Sequence, residues 1–339
     1  MKKITLIAIL ILLILIFVNP SKLAIFNLAD ASVSNMKEII SIDISEDAQY
    51  KSYKGLLCIL NDNKLKVIEE NGAEIYNQDI KKENINLDIN NYIDITNKNT
   101  NKGFSLDKDG KVIFSTSILP ETFLYKSVNE NVFINIFKND DKEVIKILDI
   151  DGEVNNRVEI NGKITNVKSI DDYILISYMN IGDKFSNKLI LIDSNGNIKK
   201  ETSFDDIILE VIYSSGNVYI IFSDKIHILD KNLNKKEEIN IKSVNLVKCN
   251  ENSNIYIKDA ENRWRYIENG KFKIIKTGGD NLGLEGIDDS YILYSNNTIY
   301  NNKLKEIISF DDDIKDVEYI EKNYIAIIFK NRIKIVKLG

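Results

Sequence analysis

The fold is decided by one stretch of sequence: Tyr173-Ile-Leu-Ile-Ser-Tyr178, Lys188-Leu-Ile-Leu-Ile-Asp193, the turn Ser194-Asn-Gly196 and the polar segment Ile198-Lys-Lys-Glu-Thr-Ser-Phe204. A second copy follows at Asn217-Val-Tyr-Ile-Ile-Phe-Ser223, Lys225-Ile-His-Ile-Leu-Asp230 and Lys235-Lys-Glu-Glu-Ile-Asn-Ile241. Apolar residues alternate with polar ones or form short runs, which is typical of β-strands rather than amphipathic helices. The stretch therefore predicts a repeated antiparallel β unit.

The same unit recurs along the rest of the chain. Further apolar strands begin at Gly55, Tyr92, Asn131, Asn254, Tyr291 and Tyr324. Their starts lie roughly 33 to 45 residues apart, the spacing of four-stranded propeller blades. We therefore predict an all-β, eight-bladed β-propeller, or a seven-bladed one if the irregular unit at Tyr92 is discounted.

A repeated turn joins the apolar third strand of a unit to its polar fourth strand. It reads Glu69-Glu-Asn-Gly72, Asp107-Lys-Asp-Gly110, Asp149-Ile-Asp-Gly152, Asp193-Ser-Asn-Gly196 and Glu268-Asn-Gly270. Asn-Gly and Asp-Gly supply the positive φ angles that tight hairpins require. These turns predict hairpins at blade spacing.

The two ends of the repeat region complement each other. The last unit stops after its third strand, Arg332-Ile-Lys-Ile-Val-Lys337, whereas Lys37-Glu-Ile-Ile-Ser-Ile42 resembles the fourth strand Lys305-Glu-Ile-Ile-Ser-Phe310. We therefore expect a propeller domain over residues 37–339, with residues 37–44 pairing with the C-terminal blade. Such closure removes exposed sheet edges.

The N-terminal segment has the features of an export signal. Lys2 and Lys3 precede the apolar run from Ile4 to Val18, and this pattern predicts a single transmembrane signal-anchor helix within residues 1–28. The alternative is secretion after cleavage at Ala29-Asp-Ala31. In either case the positive charges before the run place the remainder outside the cytoplasm.

Composition narrows the range of functions. A net charge of −6 and a pI near 5.2 argue against nucleic acid as a partner. His227 is the only histidine, which disfavours His-based triads and multi-His metal sites, so no metal is expected. Cys58 and Cys249 lie in strand-like runs and are expected to be buried free thiols, with a disulfide as the alternative.

Two segments are weak candidates for ligand binding. One is the glycine-rich stretch that contains Gly278, Gly279, Asp280 and Asn281, which would connect two blades. The other is Arg263-Trp-Arg265, where period-two alternation places a buried tryptophan opposite two solvated arginines. The sequence predicts no catalytic residue.

The acidic-x-Asn/Asp-Gly hairpins resemble those of quinoprotein-type propellers. The whole layout resembles the membrane-anchored propellers of unknown function in Gram-positive, clostridial-type bacteria. The tryptophan that ends the quinoprotein-type repeat is absent, so no cofactor is expected. The rigid repeat scaffold, together with the missing catalytic constellation, favours a module that binds an envelope protein or glycan at the membrane. The alternatives are a carboxylate-based polysaccharide hydrolase or lyase and an extracytoplasmic sensor domain.

Overall fold

The computed structural model describes residues 35–79, 85–89, 92–181, 185–249, 254–268, 271–277, 282–287 and 290–339. Across these ranges the chain forms thirty-two β-strands in eight four-stranded antiparallel sheets. The architecture is an eight-bladed β-propeller, so the prediction of eight blades is confirmed and the seven-bladed alternative is wrong. The predicted anchor at residues 1–28 lies outside the described residues. Within them, no helix has the length and apolar character needed to cross a bilayer.

The strands are numbered in chain order, and each blade runs from the central channel outward. The first strand, β1, spans Met36–Asp43. Blade 1 contains β2 (Gln49–Tyr53), β3 (Leu56–Asn61), β4 (Lys64–Glu69) and β5 (Glu74–Asp79). Blade 2 contains β6 (Ile85–Ile89), β7 (Ile93–Asn97), β8 (Lys102–Leu106) and β9 (Val112–Ser117). Blade 3 contains β10 (Thr122–Ser127), β11 (Val132–Asn139), β12 (Lys142–Asp149) and β13 (Val154–Ile160).

The remaining blades continue this order. Blade 4 contains β14 (Lys163–Ile170), β15 (Tyr173–Ile181), β16 (Phe185–Asp193) and β17 (Ile198–Phe204). Blade 5 contains β18 (Glu210–Ser214), β19 (Asn217–Ile221), β20 (Lys225–Asp230) and β21 (Lys235–Asn240). Blade 6 contains β22 (Val244–Cys249), β23 (Ile255–Asp259), β24 (Trp264–Glu268) and β25 (Lys271–Ile274). Blade 7 contains β26 (Gly283–Ile287), β27 (Ser290–Tyr294), β28 (Thr298–Tyr300) and β29 (Glu306–Ser309).

Blade 8 joins the two ends of the described chain. Its inner strands are β30 (Asp316–Glu321), β31 (Tyr324–Ile328) and β32 (Arg332–Leu338). Its outer strand is β1, which pairs antiparallel with β32 from Met36 opposite Leu338 to Asp43 opposite Arg332. The N-terminal strand thus completes the last sheet and closes the ring without a free edge at the junction.

Burial follows strand position within a blade. Second strands such as β11 and β19 are almost wholly buried, because neighbouring blades cover both of their faces. Fourth strands such as β17 and β21 are mostly exposed, which explains their polar sequences. The core is therefore a series of apolar layers between blades, and burying these layers is the main stabilising contribution to the ring.

The repeated hairpins share one hydrogen-bonding arrangement. In the turn that begins at Asp149, the Oδ1 atom accepts from the backbone N–H of Asp151 at 3.0 Å and of Glu153 at 2.9 Å. Gly152 follows with φ of 83°, a conformation that glycine adopts without steric cost. Equivalent contacts occur at Asp107, Asp193, Asp230, Asp259 and Asn301. In the fifth predicted hairpin, residues 269–270 lie outside the described residues.

The two cysteines differ in environment. Neither forms a disulfide. Cys58 is buried in β3, and burial raises the pKa of its thiol to about 12. Cys249 is exposed, so the prediction of burial is wrong for this residue. It ends β22, the first strand of blade 6, which is less buried than the second strands.

Candidate functional site

The two predicted arginines contact a buried carboxylate rather than solvent alone. Arg263 Nε lies 3.0 Å, and Arg265 Nη2 lies 3.2 Å, from Oδ2 of Asp259, which is almost fully buried. Burial acts to raise the pKa of Asp259, but hydrogen bonds from Arg263 and from the backbone lower it overall. The expectation of a solvated arginine is therefore wrong for Arg265, whose side chain is 18% exposed, because the buried carboxylate requires a cationic partner. Arg263 also contacts this carboxylate, but 42% of its side chain stays exposed.

Trp264 is buried, as predicted. Its Nε1 donates to the backbone oxygen of Leu282 at 2.8 Å. Leu282 directly follows the predicted loop residues Gly278, Gly279, Asp280 and Asn281, which lie outside the described residues. The structure therefore places the Trp264 hairpin against the end of this glycine-rich stretch.

Charged side chains from the first strands line the central channel. They comprise Lys51, Asp88, Lys126, Lys168, Glu210, Lys248, Glu285, Asp316 and Glu318, and every blade contributes at least one of them. The sequence patterns alone do not identify this set. The first strands are short and only weakly apolar, and which charges meet depends on which strands are neighbours around the ring.

On the side of blades 1 to 3, one carboxylate receives two cations. Asp88 pairs with Lys51, and its other oxygen lies 2.9 Å from Lys126 Nζ. Burial acts to raise the pKa of Asp88, but the two ammonium groups outweigh burial and lower it to about 2. Each contact joins first strands of adjacent blades, so the group ties three blades together.

On the side of blades 6 to 8, one lysine ammonium group contacts two carboxylates. Lys248 Nζ lies 3.0 Å from Glu285 and 3.1 Å from Asp316, which also accepts from the Tyr294 hydroxyl at 2.9 Å. Burial raises the pKa of Glu285 to about 7 against the opposing effect of Lys248. Burial likewise raises the pKa of Glu318. This side of the channel therefore has more carboxyl groups than cationic side chains.

The channel acids are already engaged by the protein. One oxygen of Glu285 accepts from Lys248 and the other from the backbone N–H of Tyr319 at 3.2 Å. Glu210 accepts from Asn166 at 2.9 Å and lies 3.7 Å from Lys168. Among the described residues no group of three metal-ligating side chains is present. The channel charges thus act mainly on each other and hold the ring closed.

A second surface, on the outer rim, has a different character. The apolar rim comprises Val112, Ile150, Val154 and Ile198, all exposed, on blades 2, 3 and 4. Val112 and Ile198 each leave 54% of their surface accessible. Large apolar side chains grouped on a protein surface mark interaction sites more often than scattered ones do.

The repeat supplies an internal reference for this rim. Three of the rim residues occupy the same position in their blades, at the start of the fourth strand: Val112, Val154 and Ile198. Each pairs with the last apolar residue of the third strand, directly after a shift in the strand register. The equivalent residues are Glu74 in blade 1, Lys235 in blade 5 and Glu306 in blade 7. The position is exposed in all six blades. Aligning the hairpins by their acidic residue would have identified the rim from sequence.

The hairpins that carry the rim contact the outer strands of neighbouring blades and are rich in acidic residues. A Cβ on Gly152 would lie 3.7 Å from Phe114, so the blade 3 hairpin sits against the outer strand of blade 2. Asn156 in β13 donates to the backbone oxygen of Asn195, which joins the blade 4 hairpin in the same way. The hairpins at 107–112, 149–154 and 193–198 contain six acidic and two basic residues.

Solved structures resemble the whole ring. BamB from Moraxella catarrhalis superposes with a TM-score of 0.59 at 10% identity, covering 89% of this chain and 100% of that chain. The Neurospora crassa Pan2 WD40 domain gives 0.52 at 9% identity, covering 91% and 96% of the two chains. BBS1N in complex with ARL6DN gives 0.51 at 9% identity, covering 90% and 97%. These similarities show the propeller fold. No protein-family model and no curated protein matches the sequence.

Proposed function

We propose that this chain is a membrane-tethered, extracytoplasmic binding module that docks another protein of the cell envelope on its apolar rim. The observation that carries the proposal is the presence of exposed Val112, Val154 and Ile198 at a position that is charged in blades 1, 5 and 7. Exposed apolar side chains gain free energy when a partner buries them. A propeller of the same fold, BBS1N, forms a complex with ARL6DN, so a ring of this kind can carry a protein interface.

The surrounding charge defines the partner. The acidic hairpins favour a protein surface whose apolar side chains are flanked by lysine or arginine, because complementary charge speeds association and orients the partner. The same acidic hairpins would repel an anionic bilayer. The rim is therefore proposed to contact protein rather than lipid, while attachment to the membrane is assigned to residues 1–28.

The rim is tested by site-specific photocrosslinking in intact cells that express the full chain. Benzoylphenylalanine is placed at the position of Val112, Val154 or Ile198, and, as matched controls, at the position of Glu74, Lys235 or Glu306. We expect a discrete adduct of one mass from the first three positions and none from the controls. Adducts at all six positions, or at none, would contradict the proposal.

A variant with charged residues in the rim separates docking from folding. Val112→Glu combined with Ile198→Lys installs the residue types that blades 1, 5 and 7 carry at this position. The adduct at position 154 should disappear, whereas the free energy of unfolding should change by less than about 0.5 kcal/mol per substitution, as at other exposed positions. Orientation is tested separately by digestion of a C-terminal tag with protease added to intact cells.

A second candidate function is favoured by the acid-rich side of the channel. A carboxyl group with a pKa near 7, as at Glu285, can hold the proton that a general acid in a polysaccharide hydrolase or lyase requires. The existing hydrogen bonds to both Glu285 oxygens disfavour this role. Release of reducing ends from envelope polysaccharides, lost in Glu285→Gln, would support it, and unchanged polysaccharides would exclude it.

A further inference from the structure

The contact between blades 2 and 3 contains fewer buried apolar residues than the contact between blades 3 and 4. Between blades 3 and 4 the structure packs fifteen buried apolar residues in one cluster, including Ile134, Ile147 and Ile176. The corresponding cluster between blades 2 and 3 consists of Phe114, Tyr125, Phe133 and Leu148. Beyond these rings lies a cavity of about 500 Å³, a volume within the range of small-molecule sites.

One face of blade 3 forms the floor of this cavity. Asn135, Lys146 and Arg157 are directly opposite one another across β11, β12 and β13, so their side chains share that face. Phe137 and Val144 form the adjoining apolar row, and Leu119 contributes from the connection between blades 2 and 3. Glu159, opposite Val144, also lines the cavity, and its carboxylate is paired with Lys142 Nζ at 2.6 Å. The cavity thus combines cationic, amide and apolar groups with one carboxylate that already has a cationic partner.

Two features of the row point to a missing partner. Asn135 is only 2% exposed, and its Oδ1 atom is buried without a hydrogen-bond donor. Lys146 and Arg157 place like charges directly opposite each other, an unfavourable arrangement in a sheet. Neither makes a side-chain ion pair or hydrogen bond with the part of the chain that the structure describes. A buried acceptor without a donor is costly and unusual in a folded protein.

The repeat shows that folding does not require this row. The residue equivalent to Asn135 is Ile59 in blade 1, Ile95 in blade 2, Ile176 in blade 4 and Ile220 in blade 5, all buried. The equivalent cross-strand pair in blade 4 also differs. Lys146 is opposite Arg157 in blade 3, whereas Ile190 is opposite Glu201 at the same position of blade 4. Among these five blades, blade 3 alone replaces the buried isoleucine of the second strand, and the polar replacement lines the cavity.

We infer that this cavity binds an acidic sugar unit, whose carboxylate or phosphate pairs with Lys146 and Arg157 while a sugar hydroxyl donates to Oδ1 of Asn135. Arginine and lysine bind such anions through charge-assisted hydrogen bonds. Phe137 and Leu119 offer apolar surface to the C–H face of the ring. The site is on blade 3 beside the connection to blade 2 and does not depend on the apolar rim.

The test measures binding to the full chain by calorimetry with four probes: glucuronic acid, glucose 6-phosphate, neutral glucose and inorganic phosphate. We expect at least one of the two acidic sugars to bind, and to bind about tenfold or more tightly than glucose, since loss of a charge-assisted contact has an effect of this order. Preference between the acidic sugars tells carboxylate from phosphate recognition. Binding of inorganic phosphate as tightly as glucose 6-phosphate would reduce the cavity to an ion site and overturn the proposal.

Three variants complete the test. Arg157→Gln and Asn135→Ile should each weaken acidic-sugar binding about tenfold or more, and Asn135→Ile should also raise the thermal midpoint, because it restores the residue found in four other blades. The control Lys66→Gln alters the lysine at the position of Lys146 in blade 1 and should leave binding unchanged. Absence of binding by the wild-type chain, or equal binding by all variants, would overturn the proposal.

Discussion

The two sides of the central channel both pair lysines with carboxylates, but one side has more lysines and the other has more carboxylates. On the side of blades 1 to 3, Lys51 and Lys126 share the single carboxylate of Asp88. On the side of blades 6 to 8, Lys248 alone serves Glu285 and Asp316. The pKa of Asp88 is lowered to about 2, whereas that of Glu285 is raised to about 7.

This difference shows that contacts of similar length can have opposite electrostatic consequences. Both sides join first strands of neighbouring blades, and both bury carboxylates. Asp88 has enough positive charge around it to offset its loss of hydration, and Glu285 does not. The ring is therefore expected to lose stability on the Asp88 side as pH falls and on the Glu285 side as pH rises.

The largest effect is expected from removing the cation of the acid-rich side. Lys248→Met leaves Glu285 and Asp316 without their ammonium partner and should lower the free energy of unfolding by about 3 kcal/mol at pH 8, as for other broken buried ion pairs. At pH 5 the loss should be smaller, because Glu285 can take up a proton. Urea unfolding followed by tryptophan fluorescence measures both values.

The matched control is Lys142→Met in blade 3. Lys142 also contacts a carboxylate, Glu159, at 2.6 Å, but both side chains are exposed. Exposed pairs contribute little, so this variant should change stability by less than about 1 kcal/mol. Equal effects of the two substitutions would show that burial at Lys248 has no energetic consequence.

A smaller effect is expected on the cation-rich side. Asp88→Asn should cost about 2 kcal/mol at pH 6, the equivalent of its lowered pKa. The carboxylate stabilises the fold above its unfolded pKa near 4, and this contribution is lost as pH falls toward 2. Wild type and variant should therefore converge as unfolding is measured from pH 6 down to pH 3. A constant difference over that range would contradict the pairing.

Much of the ring could be predicted from the sequence because it depends on local patterns. The apolar second strands, such as Ile174–Ile176, must be buried on both faces, and this requirement repeats once per blade. The glycine hairpins were equally visible. The hairpins at Asp230, Asp259 and Asn301 lack this glycine and are not visible in the same way. Leu233, Asn262 and Leu304 adopt φ of 61°, 59° and 62° at the position that glycine occupies in the hairpins at Asp107, Asp149 and Asp193.

The candidate sites could not be predicted in the same way, because they depend on neighbours distant in sequence. Lys248 meets Asp316 only because blades 6, 7 and 8 converge on the axis. Arg265 was expected in solvent, since its strand alternates, but the alternation does not show that buried Asp259 lies within reach. The row containing Asn135 was detectable in principle as a polar residue where other units have isoleucine.

Glu285 should respond to pH in the direction opposite to Asp88. Its folded pKa, about 7, lies above the unfolded value near 4.5. The protonated form is therefore favoured in the folded state, and the stability that it contributes is present at pH 5 and lost as pH rises through 7. Glu285→Gln keeps the shape of the neutral acid but cannot ionise, so it should lose less stability than wild type between pH 5 and 8.

Between pH 5 and pH 8 the wild-type chain should lose about 2 kcal/mol more stability than Glu285→Gln, so the variant is relatively more stable at pH 8. The sign is opposite to that for Asp88→Asn, whose deficit shrinks toward acid pH. Urea unfolding of both variants across one pH series measures the contrast directly. If Glu285→Gln instead lost stability relative to wild type as pH rose, Lys248 would be holding Glu285 ionised throughout, and the two sides of the channel would be electrostatically alike.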